Sequence, residues 1–343
     1  MSERVFNVNK LAPFLIIIAI CLSFSSCGTQ EDKVSENKNG LAEKTGNIKE
    51  EYHMVTFISG IEFWKGCYRG FEDAAKNYGV KTFFDGCPEY DIAKQATVLE
   101  QVISKKPTGI AVTCINPDAL EAPIKKAINQ GIPVVTFDSD SPNSGRYSFL
   151  GTKNYEGGVI AARHFGKVLH GVGELGLVTV PGLNSEEQRA LGFKETISKE
   201  YPNIKLVQIV NGNAESEKSA QGTAAMIQAH SGIEGIFATD SNMGMGVLVA
   251  VKEAKKKGII KIVAFDTDKA VLDAVKSGEI DILIAQGSWN MGYWSLQFLY
   301  QLHHNLVNPA KDWKQKGLNP LPPFVDTGIT VIDKHNVDAF YTN

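Results

Sequence analysis

Residues 131–146 read GIPVVTFDSDSPNSGR, and residues 258–268 read GIIKIVAFDTD. Each stretch opens on glycine, runs through β-branched and apolar residues, and closes on Phe-Asp-x-Asp. Each also follows a helix-like segment, KKAIN in one case and VKEAKKK in the other. A short apolar run with such punctuation reads as a strand buried on both faces. The carboxylates that end it, Asp138 and Asp140 or Asp266 and Asp268, do not belong in a core. They belong where a strand emerges, and their recurrence points to two similar units.

Outward from these stretches, the chain alternates from His53 onward. MVTFI, VKTFF, GIAVTCI and IPVVTF read as strands, separated by FWKGCYRGFEDAAKNYG, YDIAKQATVLEQVISKK and NPDALEAPIKKAINQG, which carry apolar residues at helical spacing. Gly79 and Gly131 stand where a helix stop is wanted. The series then restarts with GELGLVTV, IKLVQIV, GIFATD, IIKIVAF and DILIAQ as strands, again with helical segments between. Repeated strand–helix–strand units build a parallel sheet covered on both faces. The expected fold is therefore α/β, with two similar doubly wound parallel-sheet lobes. SWNMGYWSLQFLYQLHHN is left as a helix and FVDTGITVID as one last strand, and both return to complete the lobes. The expected lobes are 52–151 plus 287–325 and 152–286 plus 326–343, with three crossings near Gly151, Gln286 and Asp326.

In an open parallel sheet, ligands bind at the carboxyl ends of the strands. Two such lobes face to face put Asp138 and Asp266 on opposite walls of one crevice. Asp140 is expected to support its turn, and Asp268 to cap the helix that follows it. Asn116, Asp240 and Gln286 also end strands, and carboxylates with amides suit a ligand bearing several hydroxyls. Phe63, Trp64 and Trp289 are expected beside the crevice, able to cover the apolar face of a sugar ring. In the helix start EEQR after PGLNS, Glu187 or Gln188 is expected to point inward.

Other chemistry finds little support. The 343 residues are 43% apolar and 21% charged, with a net charge of −3, so no basic surface invites nucleic acid. GVGELG (171–176) fits a dinucleotide pattern only formally, since it precedes a strand instead of joining strand to helix. No phosphate-binding loop and no Gly-x-Ser-x-Gly elbow occurs. The seven histidines are scattered, and His303-His304 reads as surface decoration on a helix. No metal and no cofactor is expected. Cys67, Cys87 and Cys114 read as small core residues, with a Cys67–Cys87 bridge left open.

The first 27 residues stand apart. Arg4 and Lys10 precede LAPFLIIIAICLSFSSC, an apolar run of about 15 residues, which is the length of an export signal and too short for a full span. It ends at Ser25-Ser26-Cys27 and resembles a lipoprotein signal in which Cys27 is acylated, with Phe24 where that motif usually has Leu. Residues 28–51 are polar and unpatterned, as in a flexible tether.

From His53 to about Ile332 the chain resembles the periplasmic sugar-binding proteins of the ribose-binding type, whose fold LacI-type regulators share. The resemblance rests on FW–GFEDAAKNYG, INPDAL, GIPVVTFDSD, GTKNYEGG, RALGF, IFATDSNMGMG, IVAFDTD and IAQ. It implies that Phe63, Trp64, Asn116, Asp138, Asp240, Asp266 and Gln286 contact a sugar. The chain departs from ribose binders at three places: Ser139 replaces an arginine, Glu187 or Gln188 replaces another, and Asp240 replaces an asparagine. The autoinducer-2 binders of the same fold carry a crevice lysine that has no counterpart near Phe57. The resemblance thus implies a monomeric receptor for a monosaccharide, polyol or amine-bearing sugar, anchored by lipid in the periplasm or at the cell surface and serving an ABC permease. A sensor input is the alternative. An enzyme using Asp138 and Asp266 as a carboxylate pair is disfavoured, because no nucleophile, metal site or cofactor loop accompanies them.

Overall fold

The computed structural model describes residues 49–341. The apolar run, Cys27 and nearly all of the expected tether lie outside the described residues. Glu51, read as the end of the tether, opens the first strand.

The chain begins β1 (Glu51–Thr56), α1 (Glu62–Tyr78), β2 (Lys81–Gly86), α2 (Ile92–Ser104), β3 (Gly109–Val112), α3 (Pro117–Asn129), β4 (Val134–Phe137) and β5 (Phe149–Gly151). It continues α4 (Asn154–Val168), β6 (Val172–Thr179), α5 (Asn184–Glu200), β7 (Asn203–Asn211), α6 (Ser216–Ala229), β8 (Ile233–Ala238), α7 (Ser241–Glu253), β9 (Lys261–Phe265), α8 (Lys269–Lys276) and β10 (Ile282–Gln286). Then come α9 (Ser288–His303), β11 (Phe324–Asp326) and β12 (Ile329–Ile332).

These strands form two six-stranded sheets, ordered β11-β5-β4-β3-β1-β2 and β12-β10-β9-β8-β6-β7. Without the first strand of each, the orders are identical, which is the duplication read from the two Phe-Asp-x-Asp stretches. Pairing is parallel throughout, except that β12 runs antiparallel to β10. The expected α/β class with two parallel-sheet lobes is what the chain adopts. It passes from one sheet to the other after Gly151, after Gln286, and between Asp326 and Ile329.

Each sheet is sandwiched by helices, so its central strands are apolar without alternation. All four residues of β4 (VVTF) are buried, as are the last four of β9 (KIVAF). Helix α1 closes on Gly79 in the left-handed conformation, whose amide returns to the Ala75 carbonyl at 2.9 Å.

One pair of close helix crossings sets the height of the helix starts. Helix α1 lies on α9, and a Cβ added at Gly70 or Gly292 would run into the carbonyl oxygen of Trp289 or Cys67. Helix α4 lies on α5 in the same way, with Gly158 against the Arg189 carbonyl and Gly192 against that of Tyr155. In each lobe, then, the helix that follows β1 or β6 is locked by glycines to a helix that has just crossed over.

Three expectations change. FVDTGITVID is two short strands in different sheets, because Thr327 and Gly328 form one of the crossings. The cysteines Cys67, Cys87 and Cys114 are buried and free, so the Cys67–Cys87 bridge is not made. Strand β5 and helix α4 were not among the expected elements. The first is three residues long, and the second buries Gly157, Gly158, Ala161 and Ala162, residues too small to mark a periodicity.

Candidate functional site

The two Phe-Asp-x-Asp stretches deliver their first carboxylates by the same backbone device. Phe137 and Phe265 end their strands fully buried. The next residue, Asp138 or Asp266, turns into the left-handed region with φ of 60° or 70°. This is an uncommon conformation for a side-chain-bearing residue. Each amide still reaches the neighbouring strand, Asp138 to the Leu150 carbonyl at 3.0 Å and Asp266 to that of Ile284 at 3.1 Å. The hydrogen-bond ladder is kept while the side chain is thrown forward, off the strand end. A cleft lies there, holding about 660 Å³ of space including its mouth.

The two walls differ. From the first lobe come Phe57, Phe63, Trp64 and Tyr90, with Asp138 and Ser139 beside them. Trp64 meets Phe57, Phe63 and Phe137 edge-on, with ring centroids 5.3, 5.0 and 6.0 Å apart. From the second lobe come Ser185, Glu186, Arg189, Asp240, Asn242 and Asp266, and Gln286 stands at the crossing. Gln286 donates to Asp266 Oδ1 at 2.7 Å and accepts from the Thr152 hydroxyl at 2.8 Å, so its amide is oriented from both sides. Asp138 Oδ2 accepts from the hydroxyls of Ser139 (3.1 Å) and Thr113 (3.3 Å).

Arg189 is the hub of the polar wall. It is 2% exposed and lies over the Phe265 ring at 4.0 Å. Its Nη1 donates to the Thr239 carbonyl at 2.7 Å and to Glu186 Oε1 at 3.1 Å, and its Nε donates to Asn154 at 2.8 Å. One guanidinium thus serves several buried acids. Burial pushes Glu186 up to about 8, Asp266 up to about 7 and Asp240 up to about 6, against the opposing pull of Arg189. Asp138 is raised for the same reason, with Arg189 and the two hydroxyls holding it down. Two buried polar atoms on facing walls, Trp64 Nε1 and Glu186 Oε2, have no hydrogen-bond partner among the described residues.

Of the residues singled out by sequence, the structure brings Phe63, Trp64, Asp138, Asp240, Asp266 and Gln286 to this cleft. Asp240 has a second task there, accepting from the Met243 amide at 2.6 Å as the cap of α7. Asn116 is not a lining residue: its Oδ1 caps α3 by accepting from the Asp118 and Ala119 amides. Trp289 is not a lining residue and turns to α1, donating to Asp73, and it stacks on Tyr293 of its own helix.

The register of α5 corrects another pair. Glu187 faces solvent and takes the Gly182 amide at 2.8 Å, while Gln188 lines an adjoining hollow that shares Asp138, Ser139 and Ser185 with the cleft. Glu186 and Arg189 hold the inward places. The signal for them was present: Phe193 and Ile197 mark the buried stripe of α5, and stepping back by three or four reaches Ala190, Arg189 and Glu186. Asp140 supports its turn, accepting from Thr136 and from Arg146. Asp268 occupies the cap position of α8 but bonds the Ser241 hydroxyl instead of a helix amide.

Comparison with known proteins agrees with this architecture. The family described as periplasmic binding protein domain matches residues 53–305. The chain is similar to the solved structure of AraP, an arabinose-binding protein from Geobacillus stearothermophilus, at 47% identity over 85% of this chain and 99% of that one, with a TM-score of 0.78. It is similar to the sugar-binding protein of a sugar ABC transporter from Bacillus halodurans at 44% identity, over 85% of this chain and 100% of that one, with a TM-score of 0.80. Among curated proteins it is 27% identical to a D-ribose/D-allose-binding protein of Pseudomonas aeruginosa, over 81% of this chain and 85% of that protein. The chain belongs to the periplasmic binding protein family, among the sugar-binding proteins of ABC transporters.

Proposed function

We propose that this protein binds one neutral monosaccharide, first of all an aldopentose such as arabinose, in the cleft between its lobes and presents it to an ABC permease. The observation that carries the reading is the pairing of an aromatic wall with a facing wall of buried carboxylates, an amide and one guanidinium. A pyranose ring has the same two characters. Its C–H face suits Phe63 and Trp64. Its hydroxyls donate to Asp138, Asp240 and Asp266, each charge-assisted bond being stronger than a neutral one. Glu186 takes the place first given to Glu187 or Gln188. Arg189 offsets the acidity of the wall, which favours a neutral sugar over an amine-bearing one. The arabinose-binding relative at 47% identity supports a pentose.

Segments 52–151 with 287–325 form one lobe in this reading, and 152–286 with 326–343 the other. They close as rigid bodies about the three crossings, removing the hydroxyls from water. A sugar lacking one hydroxyl then strands a buried partner at a cost of about 1–3 kcal/mol, which is the source of selectivity. The chain is exported through its N-terminal apolar run and held at the membrane by a lipid on Cys27. The support for this is the run itself, ending in small residues before that cysteine.

A thermal-shift screen of arabinose, ribose, allose, xylitol and glucosamine tests the binding claim, since a ligand of the folded state alone raises Tm. Arabinose is expected to give the largest rise. A panel without any shift overturns the reading, and a largest shift with glucosamine overturns the role given to Arg189. Cys27→Ala is expected to move the protein from the membrane fraction to the soluble one, and a variant that stays membrane-bound refutes the anchor.

A further inference from the structure

At the pole of the first lobe away from the cleft, two distant parts of the chain bring three metal-ligating side chains together. Glu50 precedes β1, whose other end faces the cleft. His303 and His304 end α9, which starts beside the cleft at Gly287 and runs away from it. The ligating atoms of Glu50, His303 and His304 all lie within 4.8 Å of one another. His304 Nε2 is 3.1 Å from Glu50 Oε2, and the Tyr52 hydroxyl donates to that same oxygen at 3.1 Å. The two imidazole rings stand nearly perpendicular, with centroids 5.0 Å apart. His303 also borders a hollow lined by Lys106, Thr108 and Gln130, which opens the group to solvent. Adjacent positions on a helix point in different directions, which is why the sequence gives this pair no shared ligand. Glu50 supplies what it lacked.

We propose that Glu50, His303 and His304 hold one divalent transition-metal ion of the zinc class, with water completing its coordination. Two imidazoles and a carboxylate are a recurring donor set for zinc, and imidazole favours such ions over calcium or magnesium. Metal–ligand bonds of about 2.0–2.2 Å place donor atoms roughly 3.3 Å apart in a tetrahedron. The Tyr52 hydroxyl orients the carboxylate, as groups behind metal ligands commonly do. The bound ion ties the segment entering β1 to the last turn of α9. It stiffens the point where the folded body meets the residues before it, and it leaves the cleft untouched.

The test uses the untagged protein, stripped with a chelator and titrated with zinc chloride by calorimetry. One saturable equivalent and a raised Tm are expected. His303→Ala and His304→Ala should each weaken zinc binding at least about tenfold, and Tyr52→Phe about tenfold or more through the carboxylate it orients. Sugar titrations on the same proteins should be unchanged, which separates a failure here from a failure of the cleft reading. Zinc binding that survives in the double variant His303→Ala/His304→Ala overturns the proposal. So does the absence of saturable zinc binding by the parent protein up to about 0.1 mM. Should Glu50→Gln fail to fold, the two histidine variants decide the question, because their side chains lie at the surface end of α9.

Discussion

Phe137–Asp140 and Phe265–Asp268 are alike in backbone and unlike in company. Both phenylalanines end strands, both following aspartates turn to positive φ, and both amides keep a bond to the neighbouring strand. Past that point the lobes diverge. Asp140 is clasped by Arg146 through Nε (2.8 Å) and Nη2 (2.6 Å) and by the Thr136 hydroxyl (2.6 Å). Among the described residues, Asp268 takes only the Ser241 hydroxyl as a side-chain donor. Asp138 stands next to aromatic rings, whereas Asp266 stands among Glu186, Asp240 and Arg189. The equivalent helices α1 and α5 make the difference, because their first turns read Ile61-Glu62-Phe63-Trp64 and Leu183-Asn184-Ser185-Glu186. The duplicated sheet delivers a carboxylate to each side. The helix that follows β1 or β6 decides whether the wall around it is apolar or charged.

The comparison is most easily broken at the first aspartates. Asp138→Ala and Asp266→Ala should each weaken arabinose binding by roughly 30- to 1000-fold, or about 2–4 kcal/mol, since a desolvated hydroxyl loses a charged acceptor. Asp140→Ala should cost less than about tenfold. Calorimetry on the three variants checks the ranking, and an Asp140→Ala loss equal to that of Asp138→Ala would mean the wrong carboxylate has been placed in the cleft.

Stability should separate the second aspartates in turn. Asp140→Ala leaves a mostly buried Arg146 without its carboxylate and should cost about 1–3 kcal/mol in urea unfolding. Asp268→Ala forfeits one hydroxyl bond and should cost about 1 kcal/mol or less. Equal losses would remove the asymmetry.

The glycine crossings should instead behave alike. Gly70→Ala and Gly192→Ala each set a methyl group against a helix carbonyl and should each destabilise by about 1–3 kcal/mol. A large cost in one lobe and none in the other would show that the two helix pairs are not equivalent.

An effect of pH is also expected. The buried acids hold protons in the folded chain that the unfolded chain releases, with Asp240, Asp266 and Glu186 raised to about 6, 7 and 8. Unfolding therefore releases protons, and the stability of the ligand-free protein should decline as pH rises from the ordinary carboxylate range through about 8. Sugar hydroxyls favour the ionised acids, so affinity should rise a few-fold over the upper part of the same window. A Tm that climbs with pH in this range would contradict the assignment of burial as the dominant influence.

The repeated sentence carried the fold plainly, because parallel strands buried on both faces must be apolar and must end in something else. The strand-end acids were legible for the same reason. Helix-borne residues were harder to place. The choice among Glu186, Glu187 and Gln188 depends on where α5 starts, and one residue of error rotates a side chain by about 100°. Asn116 looked like a ligand residue because capping and ligand binding draw on the same amide. Trp289 turns to Asp73 on α1, in a rotation of α9 held by the close approach at Gly70 and Gly292 that local pattern does not reveal.

The account rests on one sugar being held by both walls at once. Calorimetric titration of arabinose into Phe63→Ala, from the aromatic wall, and Glu186→Gln, from the charged wall, tests that most directly. Each variant should remain folded and bind at least about tenfold more weakly than the parent. Parent-like affinity in either variant would contradict it, because the ligand would then be touching only one side of the cleft.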